Sequence, residues 1–451
     1  MSDKKIFYKK LFTLVLPIAF QNFMTAAVSA SDAIMLGVIS QEALSAVSLA
    51  GQIQFVLSLF LAALTIGTTI LAAQYWGKGD KASVEKILAI ALKFSSAISL
   101  VFFLGTLLIP ETLMRIFTPD AGLIAQGAQY LRIVGVSYLL MGISQIYLCI
   151  MKNSGYTLKS TVIGSVSMVT NIVLNAVFIF GVWKVPAMGI AGAALATVLS
   201  RVLELGWAFT ESLRHGRIRL HVKYLVRADR ELKGDFFHYT LPVLGNELIW
   251  GCGFTMYSVI MGHLGSDAVA ANSIANIVKN LIACLCLGLG SGGGIIVGNE
   301  LGKRNLAAAK DYGDRLCRLS IVMGALSGLL LLGLSPLILG FSNLSPAAHG
   351  YLKGMLFMCT YYLIGKSVNS TVIAGIFCAG GDSRFGLFCD AVTMWAVTVP
   401  LGLLTAFYFK IPILAVYFII NLDEIIKLPA VYIHYKKYNW VRDITRSGQL
   451  L

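Results

Sequence analysis

The chain has 451 residues, of which 57% are hydrophobic and 13% charged, and its formal charge is +14; its mean hydropathy is +0.77. That composition excludes a water-soluble domain of this length, because too little polar surface exists to cover it, and places the chain in a lipid bilayer. The basic excess forms no groove or stripe for nucleic acid but sits in short clusters between apolar runs. The eight cysteines are scattered, with only Cys284 and Cys286 close together, so neither metal-ligand nor disulfide spacing is present.

Twelve apolar runs are long enough to cross ~30 Å of hydrocarbon, which predicts an all-α membrane protein. Their limits are 11–38, 43–76, 86–110, 127–151, 158–182, 188–213, 235–263, 268–300, 308–334, 350–378, 385–409 and 411–435. The first run imitates a signal peptide, with Lys4, Lys5, Lys9 and Lys10 ahead of it. However, Gln21, Asn22 and Asp32 interrupt it, and the chain carries a second copy of it at 241–263.

That second copy belongs to a longer repeat. The stretch from Leu16 to Ala82 returns at Leu241 to Ala307 without a gap: Pro17 falls on Pro242, Gly37 on Gly262, Ala46 on Ala271, Gly67 on Gly292 and Gly77-Lys78 on Gly302-Lys303. Lysine and arginine mark the orientation. They crowd the N-terminus, the even-numbered loops, the segment from Arg214 to Lys233 and the C-terminal tail, whereas the odd-numbered loops hold only Arg115, Lys184 and Lys410. Both termini and the central linker are therefore expected in the cytoplasm. Six spans per repeat return the chain to the same side, so the halves are parallel repeats, two six-helix bundles about a central cleft. The expected organisation is an N-lobe at 1–212, a basic linker at 213–234 and a C-lobe at 235–451. The glycine run Gly288–Gly294 lies inside a span, not between a strand and a helix, and so does not read as a phosphate-binding loop.

An ionisable group on a span costs at least ~2.5–3.5 kcal/mol at the helix centre, so each is expected to face protein or water. Asp32 is the only acid in spans 1 to 5 and lies about 9 Å from the outer end of span 1. Asn171 and Asn175 share one face of span 5, and Thr197 on span 6 lies in the same depth band. In the second half, Glu247 and Lys366 sit near mid-membrane with Asn246 and Asn369 close by, which predicts a Glu247–Lys366 pair, structural or substrate-facing. Asp423, Glu424 and Lys427 on span 12, and Arg201 with Glu204 on span 6, have the i, i+3 and i, i+4 spacing of helix braces.

The paired six-span repeat, the proline opening spans 1 and 7, Asp32-Ala-Ile-Met-Leu-Gly37, Gly77-Lys-Gly-Asp80 with its echo Gly302-Lys-Arg-Asn305, and Ala379-Gly-Gly-Asp-Ser-Arg384 together resemble the MATE (multidrug and toxic compound extrusion) family over essentially the whole chain. The resemblance implies an exporter of small organic, often cationic or amphipathic compounds in the bacterial inner membrane, driven by inward H⁺ or Na⁺. It implies no cofactor beyond the coupling ion, the lipid bilayer as its surroundings, and a monomer. Asp32, Asn171 and Thr197 match the N-lobe cation site of the DinF-like branch. Where that branch often has a second aspartate, this chain has Asn175, leaving one carboxylate, which suits H⁺ better than a dehydrated Na⁺. The family's acid on span 7 usually lies about three residues further on than Glu247. Two other readings remain open on the residues: a flippase for lipid-linked precursors, for which a strongly cationic cavity is expected, and a non-transporting sensor or scaffold.

Overall fold

The structure, a computed structural model, describes residues 3–182, 185–227, 229–341 and 344–446, so that Lys184 and the side chain of Lys4 lie outside the described residues. The described chain is helical throughout. In order come α1 (Asp3–Ile39), α2 (Gln41–Lys78), α3 (Lys81–Leu108), α4 (Pro110–Arg115), α5 (Ala121–Asn153), α6 (Thr157–Phe180), α7 (Gly189–Ser212), α8 (Val222–Val226), α9 (Arg230–Gly262), α10 (Ser266–Gly302), α11 (Leu306–Phe341) and α12 (Pro346–Asn369). They are followed by α13 (Arg384–Asp390), α14 (Val399–Leu403), α15 (Ile413–Ile420) and α16 (Asp423–Lys436), with π-helical turns at Ser370–Phe377, Ala391–Thr398 and Leu404–Tyr408.

Nine helices among the described residues are long and apolar enough to span a membrane by length and composition. The other three expected runs, at α9, α12 and α15–α16, carry Glu247, Lys366 and the Asp423-Glu424-Lys427 group. The last run is also not one helix: it breaks at Asn421-Leu422 between α15 and α16. Helix starts follow their caps. Asp80 and Asp120 accept hydrogen bonds from the backbone N–H groups of Ser83 and Leu123, and Ser345 from that of Ala348, each satisfying an otherwise orphaned donor.

The chain forms two compact units. One comprises Phe23–Ala72 and Asp80–Phe237, here the N-terminal unit; the other comprises Met1–Asn22, Ala73–Gly79 and His238–Leu451, here the C-terminal unit. The unit boundary thus departs from the repeat boundary. Phe7, Leu11 and Val15 of α1 are buried in a core with Leu289, Val297, Leu316 and Phe377. The end of α2 crosses α10 at repeat-equivalent positions: a Cβ on Gly77 would lie 2.1 Å from the Asn299 carbonyl oxygen, and one on Gly302 1.9 Å from that of Gln74. Only glycine permits either approach, and the two contacts are reciprocal under the repeat offset.

Within each unit small residues set the helix contacts. In the N-terminal unit Ser99 packs on Gly142 and the Ser95 hydroxyl donates to the Gly142 carbonyl at 2.6 Å. In the C-terminal unit the equivalents exchange roles: Gly324 packs on Ser367, whose hydroxyl donates to the Ser320 carbonyl at 2.7 Å. Each repeat keeps one glycine and one serine at the crossing, so small residues let α3 and α5, and α11 and α12, pack closely.

The linker is clasped to the N-terminal unit. Glu211, buried at the end of α7, pairs with Lys159 at 2.9 Å, Arg217 at 2.8 Å and Arg214 at 3.2 Å. Arg217 also lies over the Tyr156 ring. Further along, His221 meets Glu85 at 3.2 Å and Asp229 meets Lys86 at 3.0 Å.

Candidate functional site

In the N-terminal unit, Gly192 determines how α6 and α7 meet. A Cβ there would lie 2.6 Å from the Phe178 carbonyl, so glycine lets the start of α7 rest on the end of α6, while Gly181 ends α6 with φ +71°. The Ser167 hydroxyl then donates to the Ser200 carbonyl at 2.7 Å, which places Thr197 beside Asn171. The four predicted residues form one hydrogen-bonded chain. Asn175 donates to Asp32 Oδ1 at 2.5 Å and to Asn171 Oδ1 at 3.2 Å, and Asn171 donates to Thr197 Oγ1 at 3.3 Å and to Ser200 Oγ at 3.5 Å. Thr197 is committed in turn to the Ala193 carbonyl at 3.0 Å. Asn175 is fully buried, and among the described residues its Oδ1 has no donor. Asp32 is partly buried, so the carboxylate stands at the rim of a buried amide chain. Ser200 was absent from the sequence expectation; its spacing of three from Thr197 was its only signal.

The second cluster lies in the C-terminal unit, and here the expected pairing is corrected. Among the described residues Glu247 makes no ion pair, and Lys366 instead meets Glu424 Oε1 at 3.3 Å. The cause is local packing: a Cβ on Gly365 would lie 2.9 Å from the Glu424 carbonyl, so the first turn of α16 sits directly against α12. Asn369 completes the contact, donating to both the carbonyl and Oε2 of Glu424 at 2.7 Å. Lys427 is likewise not satisfied mainly within its own helix. Its nearest carboxylate is Asp390 on α13 at 2.6 Å, with Asp423 at 3.7 Å and Glu424 at 3.8 Å. Asn246, with its amide oriented to donate, holds Asp390 Oδ2 at 2.8 Å. π-helical turns begin directly after Asn369 and Asp390.

Arg201 and Glu204 form the expected brace at 2.8 Å, with Ser144 donating to Glu204 from α5. Among the described residues no group of three or more His, Cys, Asp or Glu side chains is arranged to hold a metal ion.

Repeated helical halves with paired charges and a hydrogen-bonded carboxylate on membrane-spanning helices define a multi-pass membrane transporter. The family model described as MatE matches residues 17–177 and 242–404, one match per repeat, and the chain belongs to that family of transporters; it is not an enzyme. Among curated relatives it is 21% identical over 433 residues to "Uncharacterized transporter YisQ" of Bacillus subtilis, covering 96% of this chain and 95% of that one. It is 23% identical over 417 residues to "Probable multidrug resistance protein NorM" of Thermotoga maritima, covering 90% and 87%. The fold matches that of a MOP superfamily transporter from Pyrococcus furiosus with a TM-score of 0.87 at 17% identity, over 96% and 95% of the two chains. The Vibrio cholerae MATE transporter VcmN, solved as a mutant, matches with a TM-score of 0.86 at 17% identity, over 98% and 100%.

Proposed function

We propose that this transporter is a proton-coupled exporter of small organic, cationic or amphipathic compounds, working by alternating access in the bacterial plasma membrane with both termini cytoplasmic. Support for export of such compounds comes from the relatives named as multidrug resistance proteins. The observation that carries proton coupling is Asp32, the one carboxylate of its cluster, hydrogen-bonded to a buried asparagine whose own oxygen has no donor among the described residues. An amide is both donor and acceptor, so Asn175 can serve either state of Asp32: its N–H groups suit the carboxylate and its oxygen suits the acid. A dehydrated Na⁺ favours several hard oxygens and charge balance, which one carboxylate among committed amides and hydroxyls supplies poorly. The Asp32, Asn171, Thr197 set also supports a place near the DinF-like branch.

Protonation from outside removes the charge on Asp32 and with it the cost of closing a dry protein around it. Substrate binds the deprotonated conformer and leaves when the proton arrives, so each ligand shifts the same equilibrium in opposite directions. Binding of a permeant dye to purified protein in weak buffer near the midpoint of its pH response is therefore expected to release protons, and Asp32→Asn protein to release none. Equal release from both would overturn the assignment.

A further inference from the structure

In the N-terminal unit, α4 and the first turns of α5 enclose an open groove of about 560 Å³, within the ordinary size range of small-molecule sites. Its floor is apolar, with Ile124 and Ile133, and the charged residues that line it are Glu111, Arg115 and Arg132. Glu111 pairs with Arg132 at 2.5 Å. Arg115, the last residue of α4, is exposed, and among the described residues no side chain pairs with it. Gln129 adds an amide one turn before Arg132 on the same face of α5. The lining residues therefore leave one positive charge uncompensated.

The helix itself fixes the depth of this groove. From Arg132 to Lys152, α5 rises about 30 Å with no charged residue between them; that is the thickness of the hydrocarbon core, so the two cations mark its two edges. Arg132 accordingly stands at the level of the lipid phosphates. It also faces lipid: Tyr130, two residues earlier and about 200° round the helix, is 8% exposed, whereas Val136, one turn deeper on the Arg132 face, is 40% exposed. A long basic side chain at such an edge extends toward the head groups, and an arginine matches two phosphate oxygens at once. Water alone satisfies a single arginine there, but two arginines across an apolar floor with one acid between them suit a bound anion.

We propose that this groove is a site for a monoanionic phospholipid of the phosphatidylglycerol type, its phosphodiester between Arg115 and Arg132, its glycerol head beside Gln129 and an acyl chain along Ile133 and Val136. One phosphodiester charge neutralises the site. A zwitterionic lipid brings an ammonium as well, for which the only lining acid is Glu111, already committed to Arg132. Assigning the site to the outer leaflet rests on the proposed orientation; the site itself does not, and it is separate from proton coupling at Asp32.

The test places a bimane fluorophore on Val136→Cys in a Cys252→Ser background, with the full chain in phosphatidylcholine nanodiscs. Small, equal fractions of lipid spin-labelled high on one acyl chain are then added as phosphatidylglycerol, phosphatidylethanolamine or phosphatidylcholine. Phosphatidylglycerol is expected to quench about fivefold more strongly than either of the others, as one uncompensated arginine at a membrane surface implies. Bimane on Val173→Cys, an exposed position on α6, should show no such preference. Arg115→Gln should abolish the preference at Val136, with thermal melting as the check on folding, and Glu111→Gln, which leaves two uncompensated cations, should raise it. Excess inorganic phosphate should leave it intact, since a soluble anion lacks the acyl chain. Equal quenching by the three lipids, no quenching, the same preference at Val173, a preference that survives Arg115→Gln or falls with Glu111→Gln, or its loss to inorganic phosphate would each overturn the proposal. Asp32→Asn protein should keep the preference, so a failure of proton coupling and a failure of this site are told apart.

Discussion

Lys366 finds its counter-ion on α16 and not on α9, and the difference is instructive about what single residues reveal. Depth along a helix is legible from the sequence, since each residue adds a fixed rise, and depth alone brought Asp32, Asn171, Asn175 and Thr197 into one band. Rotation about the helix is not legible, because it depends on which neighbour can approach. Gly365 lets Glu424 come close, so a pair expected from shared depth formed with a different acid. Removing Lys366 or Glu424 alone strands a charge in the helix bundle and is expected to cost about 3–5 kcal/mol, with the double replacement Lys366→Met, Glu424→Leu milder than the sum. A double-mutant cycle on thermal stability checks this, and simple additivity would contradict the pairing. Replacing Glu247 should not couple to Lys366 in the same way.

At the scale of elements, the apolar runs located every long helix but not the irregularities within them. The break at Asn421-Leu422, the π-helical turns and the short α4 and α8 carry no periodicity of their own and arise from packing. The linker shows the same limit: its basic composition was plain, yet its clasp on the N-terminal unit depends on Glu85 and Lys86, far away in sequence. Asp229 illustrates the energetics. Partial burial opposes its ionisation, but the hydrogen bond from Lys86 and the backbone N–H groups of Leu232 and Glu231 at the start of α9 outweigh it, holding this carboxyl below the usual range. A carboxylate lowered in the folded state stabilises it above its unfolded value, ~3.9, and loses that contribution as pH falls through the folded one. The contact is partly exposed, so its effect is modest, under about 1 kcal/mol. Asp229→Asn is expected to speed hydrogen exchange in the α8–α9 segment at pH 7 and to match the wild type once the pH is well below 4. A difference independent of pH would contradict the charge-based clasp.

For the whole molecule, the repeat was the strongest signal in the chain, and the reciprocal Gly77–Asn299 and Gly302–Gln74 contacts are its direct structural expression. Which helices associate into a compact unit was not legible, because the first half of α1 and the end of α2 leave their own repeat to pack with the other. The proposed orientation predicts that, in a Cys252→Ser background, a membrane-impermeant maleimide added to intact cells labels Lys410→Cys and spares Lys81→Cys. The reverse pattern would invert the topology and the direction of transport.

The central claim is that a single carboxylate, Asp32, couples proton influx to export. Its most direct test is uphill movement of a fluorescent dye in proteoliposomes under an imposed pH difference. Wild-type protein is expected to concentrate dye against its gradient, while Asp32→Asn protein, which has the shape of the protonated site but cannot titrate, folds and inserts yet moves dye only downhill. Uphill transport by Asp32→Asn protein at the wild-type rate would contradict the account and transfer the coupling role to the charged cluster of the C-terminal unit.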